Sequence, residues 1–195
     1  MSYRVVGEFE SALCAYTGAK YAVAVNSCSS ALLIACAYHL RNQRINVSLP
    51  KRTYASVPMA VIHAGGIPIF EHYDWNGSYR LWPLPVFDSA RRFTSGMFLD
   101  GSFQCVSFQT SKILGLEQGG AVLHDDSQAD DWLRRARFDG RLNASEKAPK
   151  QVGWHCYMNP STAAIGLQRL SCLPLHNPDQ CGSEAFEDLS RLGIW

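Results

Sequence analysis

Four short stretches carry side chains whose types and order could do chemistry. The first, Asn26-Ser27-Cys28-Ser29-Ser30, leads into an apolar run that begins at Ala31. Free backbone N–H groups at a helix start, joined by hydroxyls, make a cradle for phosphate; the plainer reading is an ordinary Ser/Asn helix cap. The second is Asp88, which closes Pro85-Val86-Phe87. An acid ending a buried strand can face a ligand cation, and it can equally cap the next turn. The third is Lys112, within Ser107-Phe108-Gln109-Thr110-Ser111-Lys112-Ile113-Leu114-Gly115. A lysine drawn out of water has a lowered pKa and becomes a nucleophile towards carbonyls; on a turn it is simply solvated. The fourth is Tyr54, which can stack on a planar ligand or pack in the core.

Taken together the four have one economical explanation. A phosphate cradle, an acid, an aromatic plate and an activated amine are the parts that hold pyridoxal 5′-phosphate (PLP). The lysine would form the Schiff base, and the acid would keep the pyridine nitrogen protonated so that the ring acts as an electron sink. The aromatic would cover the ring face and the cradle would anchor the phosphate.

The elements that must position these residues alternate. Residues 7–17 place Phe9, Leu13 and Tyr16 at helical spacing, and residues 21–26 (YAVAVN) read as a short buried strand. A buried helix is predicted over 29–41, a strand over 45–50, a helix over 54–64 closed by Gly65-Gly66, and a strand over 67–72. Residues 73–84 are broken by Asn76-Gly77 and Pro83, and 85–88 read as a strand that opens on Pro85 and ends on its acid. Residues 104–109 and 120–124 look like a strand pair joined by a glycine-bearing loop. A helix is predicted over 127–140, capped by Ser127, with Asp130 as the acid of a capping box and Gly140 as its stop. Residues 141–152 read as a polar loop, 160–171 as a helix, and the stretch after Pro174 is weakly patterned. This alternation predicts an α/β fold with a mostly parallel mixed sheet, in which ligands bind at the carboxyl ends of strands.

Composition narrows the function class. Of 195 residues, 47% are apolar and 18% charged, which excludes a disordered, collagen-like or charged coiled-coil chain. With 18 basic and 17 acidic residues the net charge is +1, so charge supplies no argument for a nucleic-acid or membrane-surface partner, and neither is expected. The longest apolar run, residues 31–38, is far short of the roughly 20 residues of a membrane span. Acidic residues stand near the start, where a signal peptide would be apolar. Seven cysteines, an odd number without a CxxC pair, and six scattered histidines predict reduced, mostly buried thiols, no metal site and a cytoplasmic protein.

The same residues carry a family resemblance. The opening block, Gly7-Glu8-Phe9-Glu10 through Gly18-Ala19-Lys20-Tyr21 to Asn26-Ser27-Cys28-Ser29-Ser30-Ala31-Leu32, is similar to the first motif of the DegT/DnrJ/StrS sugar aminotransferases, where the run is Asn-Ser-Gly-Thr-Ser-Ala-Leu. Leu49-Pro50-Lys51-Arg52-Thr53-Tyr54-Ala55-Ser56 resembles the segment that supplies the ring-stacking aromatic, which falls on Tyr54. Phe87-Asp88-Ser89-Ala90 resembles Glu-Asp-Ala-Ala and puts the pyridine-nitrogen acid on Asp88. Ser107-Phe108-Gln109-Thr110-Ser111-Lys112 resembles Ser-Phe-His-x-x-Lys, which carries the aldimine lysine onto Lys112 and a phosphate-binding hydroxyl onto Ser107. Gly119-Gly120-Ala121-Val122 and Gly153-Trp154-His155-Cys156-Tyr157-Met158-Asn159 continue the match, so the resemblance spans about residues 7–171.

The resemblance implies the three-layer α/β/α large domain of fold-type-I PLP enzymes over residues 1–195, with the tail 175–195 unassigned and the family's C-terminal small domain absent. It implies an aminotransferase that moves an amino group from an amino acid, with glutamate as the expected donor, to a nucleotide-linked keto-sugar through a Lys112 aldimine. The cofactor-binding set it implies is Asp88, Tyr54, Cys28, Ser29, Ser107 and Arg91. Dehydratase relatives carry histidine at the lysine position, so Lys112 points to transamination. It further implies a homodimer, or a companion chain supplying the missing domain. The departures are Cys28 for a glycine, Arg91 where a Gln or His stands near the cofactor's phenolic oxygen, Gln109 for a histidine, Tyr157 for a polar or basic residue, and Pro160 for an acid. They keep a second reading open, a truncated PLP-binding or non-catalytic homologue with a scaffold or partner-binding role.

Overall fold

The computed structural model describes residues 4–195. Helix α1 (Arg4–Thr17) is followed by β1 (Tyr21–Val25), α2 (Cys28–Leu40), β2 (Asn46–Pro50), α3 (Ser56–His63) and β3 (Ile67–Glu71). Then come β4 (Tyr79–Leu81), β5 (Val86–Asp88), β6 (Phe103–Ser107), β7 (Gly120–His124), α4 (Ser127–Ala136) and α5 (Pro160–Ser171). Two short 3-10 turns, 183–185 and 189–191, lie in the tail.

Three layers form because strand residues alternate between two apolar faces. In β1, Val23 and Val25 join a core under α2, α3 and α4, built with Leu32, Val57 and Leu133. Ala22 and Ala24 point the other way, into a core with Phe9 and Leu13 of α1 and Ala163 and Leu170 of α5. Phe9 is fully buried, and Gly166 of α5 lies so near it that an added Cβ would sit 2.8 Å from the ring. Burying a side chain of that size stabilises the fold by about 1.5–3 kcal/mol.

The main sheet runs β1-β7-β6-β5-β4, and β2-β3 form a two-stranded parallel sheet. A bridge between Ser48 and Trp82 ties β2 to the end of β4. The α/β/α sandwich and mixed sheet are as expected, but the pairing is not mostly parallel. Only β5–β6 and β2–β3 are parallel, whereas β1–β7, β6–β7 and β4–β5 are antiparallel. The reason is local. Residues 82–85 between β4 and β5 are too few for a crossover and make a hairpin, and the chain between β6 and β7 likewise turns straight back, whereas the helix-free stretch 89–102 is long enough to cross over and leave β5 and β6 parallel.

Most predicted elements stand within a few residues of their expected ends. Strand β4 was hidden in the broken stretch 73–84, too short to show a pattern. Helix α4 is capped by Asp126, whose carboxylate accepts from the Gln128 and Ala129 amides, rather than by Ser127. Asp130 is drawn instead to Arg134 one turn on, at 2.8 Å. The helix stops at Ala136, four residues before Gly140, because the Trp154 amide takes the Ala136 carbonyl. All seven cysteines are free, but only Cys36, Cys105 and Cys156 are buried; Cys172 and Cys181 are exposed. Among the described residues no cluster of metal-ligating side chains occurs, and no helix is long and apolar enough to cross a membrane.

Candidate active site

The carboxyl ends of β1, β5 and β6 converge on one cavity of about 520 Å³. Every site residue expected from the sequence lines it: Cys28, Ser29, Tyr54, Asp88, Arg91, Ser107 and Lys112. Such a volume is ordinary for a small-molecule site.

The floor at one end is the start of α2. Ser27 is its N-cap and accepts from the Ser30 amide, while Ser30 Oγ donates to Asn26 Oδ1 at 2.7 Å. Ser29 Oγ donates to Ser56 Oγ at 2.7 Å, so the turn is joined to α3. Strand β7 presses from behind: a Cβ on Gly120 would lie 2.6 Å from the Cys28 amide nitrogen. The turn is therefore both a cap and an N-terminal helix end facing a cavity. Cys28 Sγ lies against the Cys105 carbonyl, and burial, with Asp88 nearby, pushes its thiol well above the usual range. It remains a neutral, small wall group.

Asp88 is buried at the end of β5. Its Oδ2 accepts from Tyr79 Oη at 2.7 Å, and its Oδ1 from the Ala90 amide at 2.9 Å. Thr53 Oγ1 also meets the Tyr79 hydroxyl. Burial raises the Asp88 pKa, opposed by the Ala90 amide, the Tyr79 hydroxyl and the positive charges of Lys112 and Arg91. A buried carboxylate held by two donors and facing a cavity is suited to a cationic ligand atom.

Lys112 lies half-buried on the loop after β6, where its amide donates to the Gln109 carbonyl. Burial lowers its pKa, the Arg91 guanidinium lowers it further, and Asp88 opposes both. Tyr54 stands at the mouth and is 62% exposed, which removes the core-packing alternative for it. Nothing in the sequence signalled several other wall residues: Trp75, the Ser56 partner of Ser29, and Phe186 from the tail. Trp75 and Phe186 stack, with centroids 5.7 Å apart. Phe186 could not be found by periodicity because the tail folds through side-chain pairs, among them Arg92–Asp179 and Lys51–Asp188.

A smaller cavity of about 210 Å³ adjoins the first across Asn26, Gln118 and Gly119 and reaches His155, Tyr157 and Asn159. The glycine-tryptophan motif thus borders the same site.

Comparison with known proteins is decisive for the family. Residues 1–79 and 95–179 match the model of the DegT/DnrJ/EryC1/StrS aminotransferase family. The chain belongs to this family. The unmatched residues 80–94 hold Asp88 and Arg91 and cover nearly all of the β4–β5 hairpin and the turn after it. Among curated proteins, the spore coat polysaccharide biosynthesis protein SpsC of Bacillus subtilis is 38% identical over 71 residues, which is 36% of this chain and 18% of SpsC. Among solved structures, Helicobacter pylori PseC, an aminotransferase involved in pseudoaminic acid biosynthesis, superposes with a TM-score of 0.71 at 21% identity, covering 87% of this chain and 58% of PseC. Bacillus subtilis NtdA, solved with bound cofactor PMP, gives 0.70 at 20%, covering 87% and 48%. DesI, solved in the presence of its TDP-sugar product, gives 0.65 at 21%, covering 88% and 53%. The chain therefore shares this fold and spans about half the length of such structures, and far less of SpsC.

Proposed function

We propose that the cavity binds PLP and serves amino-group transfer from an amino acid, with glutamate as donor, to a nucleotide-linked keto-sugar. The observation that carries this reading is that Lys112, Asp88, Tyr54 and the Asn26–Ser29 turn, far apart in sequence, line one cavity. The acceptor class rests on the relatives, whose names attach them to polysaccharide, pseudoaminic acid and TDP-sugar chemistry.

The residues present fit the cofactor. The α2 start offers amides and the Ser29 hydroxyl to a phosphate, with Ser107 on the same wall. Asp88, fixed by Tyr79 and Ala90, would hold the pyridine nitrogen in its protonated form. Tyr54 is free to lie against the ring. When bound, the cofactor supplies an aldehyde and an electron-withdrawing pyridinium. Lys112 supplies an amine that is neutral at lower pH than a solvated lysine and can therefore act as nucleophile and as proton carrier at Nζ. Arg91 lines the same wall, and its positive charge adds to burial in lowering the Lys112 pKa.

The exposure of Tyr54 at the mouth also favours a covered assembly, as a homodimer or with a companion chain, since a water-filled site weakens its own electrostatics. If no cover is supplied, binding without turnover, in a scaffold role, is the alternative.

The test is absorbance after adding PLP, followed by borohydride reduction and peptide mass mapping. The reading expects a visible band and a stable mass increase on the peptide carrying Lys112, with the band altered by glutamate. No band and an unmodified Lys112 would overturn it; a band without response to glutamate would leave the scaffold alternative.

A further inference from the structure

The guanidinium of Arg91 has donors to spare. It lies on the cavity wall with Lys112, Asp88 and Ser111. Its plane rests on the Phe186 ring, with Cζ 4.9 Å from the centroid, and Nη1 donates to Cys181 Sγ. Its Nε is buried with no hydrogen-bond partner. Among the described residues no carboxylate pairs with it, and the one nearby acid, Asp88, already accepts from Tyr79 and Ala90. The next residue shows the contrast: Arg92 is paired with a carboxylate, Asp179, with Nε at 2.9 and 3.2 Å and Nη2 at 2.5 Å.

An arginine offers five N–H donors in a planar fork that matches a carboxylate. One phenolic oxygen, the contact suggested by the family resemblance, occupies only part of that fork. A buried N–H without a partner costs free energy that an incoming acceptor recovers. The tail fixes the fork's direction twice, through Cys181 and Phe186, and the Gln180 amide donates to the Arg91 carbonyl at 2.9 Å.

We propose that Arg91 is the carboxylate-binding residue of this cavity, taking the α-carboxylate of the amino-acid donor and of the 2-oxo acid it becomes. The assignment rests on the aminotransferase reading and deepens it. Arg91 adjoins Lys112, so a donor whose amino group is brought to Lys112 carries its α-carboxylate, one carbon away, towards the guanidinium. The 2-oxo acid keeps the same carboxylate, and the same contact serves both half-reactions.

The experiment is calorimetric titration of PLP-free protein with glutarate, an unreactive dicarboxylate, in parallel with inorganic phosphate. Arg91→Gln is expected to weaken glutarate binding at least tenfold while leaving phosphate binding within twofold. Arg91→Lys, which keeps the charge and loses the fork, is expected to fall between and replaces Arg91→Gln if that variant does not fold. The loss persists in a Lys112→Ala background, which removes the other cation of the wall. Equal glutarate affinity in wild type and Arg91→Gln, or no glutarate binding by wild type, overturns the assignment. A loss of phosphate rather than glutarate binding also overturns it and places Arg91 in the phosphate cradle. Failure of the PLP band with glutarate binding intact sinks the aminotransferase reading and leaves Arg91 as a carboxylate site.

Discussion

Tyr79 and Asp88 are direct partners in the β4–β5 ladder, and the Tyr79 hydroxyl reaches across to Asp88 Oδ2 at 2.7 Å. The strand that completes the sheet edge thus also supplies the donor that orients the acid of the cavity. Thr53, one residue before the aromatic of the mouth, meets the same hydroxyl, so a chain of contacts runs from Tyr54's neighbour to Asp88. The Tyr79 hydroxyl is itself held protonated, its pKa pushed well up by burial and by the Asp88 charge. It therefore acts as a donor and not as a base.

Tyr79→Phe tests that relationship. It removes one hydrogen bond to a buried carboxylate, which costs about 1–3 kcal/mol of stability or binding. Because the Tyr79 hydroxyl holds the Asp88 pKa down against burial, its loss raises that pKa further. PLP affinity, read by absorbance titration, is expected to fall about tenfold at pH 7, a change that corresponds to about 1.4 kcal/mol. Asp88→Asn is expected to fall at least as far with the far-UV circular dichroism intact. Unchanged affinity in both variants would remove Asp88 from the cofactor site.

Lys112 should react with aldehydes at lower pH than ordinary lysines. Burial and Arg91 disfavour its ammonium form, so the neutral amine appears earlier as pH rises. The yield of borohydride-fixed PLP on the Lys112 peptide, followed from pH 6 to 10, is the readout. Its midpoint is expected below that of an ordinary solvated lysine, and Arg91→Gln is expected to move it upward by removing the neighbouring charge. Coincident midpoints for Lys112 and surface lysines would contradict the mechanism. Lys112→Ala should abolish labelling at this peptide.

What the sequence made legible was local and strongly patterned. The alternation of β1, the acid at the end of β5 and the lysine loop after β6 could be read because each is a short buried strand followed by a polar change. The parts that escaped are set by distant partners. Strand β4 is three residues long and is defined by β5, not by its own composition. The α4 cap fell on Asp126 because its carboxylate reaches two amides that Ser127 does not. Phe186 entered the cavity wall through Trp75, more than one hundred residues earlier in the chain, and no periodicity encodes such a pair.

The tail's hold on the domain should weaken in acid. Asp188 is held down to about 2, chiefly by the Ser190 hydroxyl and by Lys51, whose Nζ lies 2.9 Å from Oδ2. A carboxylate with a depressed folded pKa contributes stability that is present above its unfolded value of 3.8 and is lost as pH falls through 3.8 towards about 2. Limited proteolysis by pepsin is expected to release the segment after residue 187 more readily as pH drops across that window. Lys51→Ala is expected to show the same release at higher pH, because it removes one of the groups that keep the carboxylate ionised. Identical cleavage patterns in the two proteins would mean that the backbone and ring contacts of the tail, among them the Leu189 amide on the Lys51 carbonyl at 2.8 Å and Trp195 against Phe70, hold it without the ion pair.

Gly120→Ala should couple the sheet to the site most directly. Gly120 pairs with Val25 and with Ser107, so it stands between the strand that delivers the phosphate turn and the strand that delivers Ser107. A Cβ there would lie 2.6 Å from the Cys28 nitrogen and from the Ser27 carbonyl carbon, and 2.8 Å from the Val106 carbonyl oxygen. All three are backbone atoms, so no rotamer change relieves the overlap. Overpacking of this kind costs about 1–3 kcal/mol, which chemical denaturation would register as a lower midpoint with an unchanged slope. The displaced atoms are those that open α2, so phosphate and PLP affinity should fall together with stability. Gly166→Ala is the control: its Cβ would crowd the Phe9 ring on the opposite face, and it should lower stability while leaving phosphate affinity unchanged. Equal phosphate affinity in Gly120→Ala and wild type would show that the turn at Ser27–Ser30 is a helix cap and not the phosphate cradle.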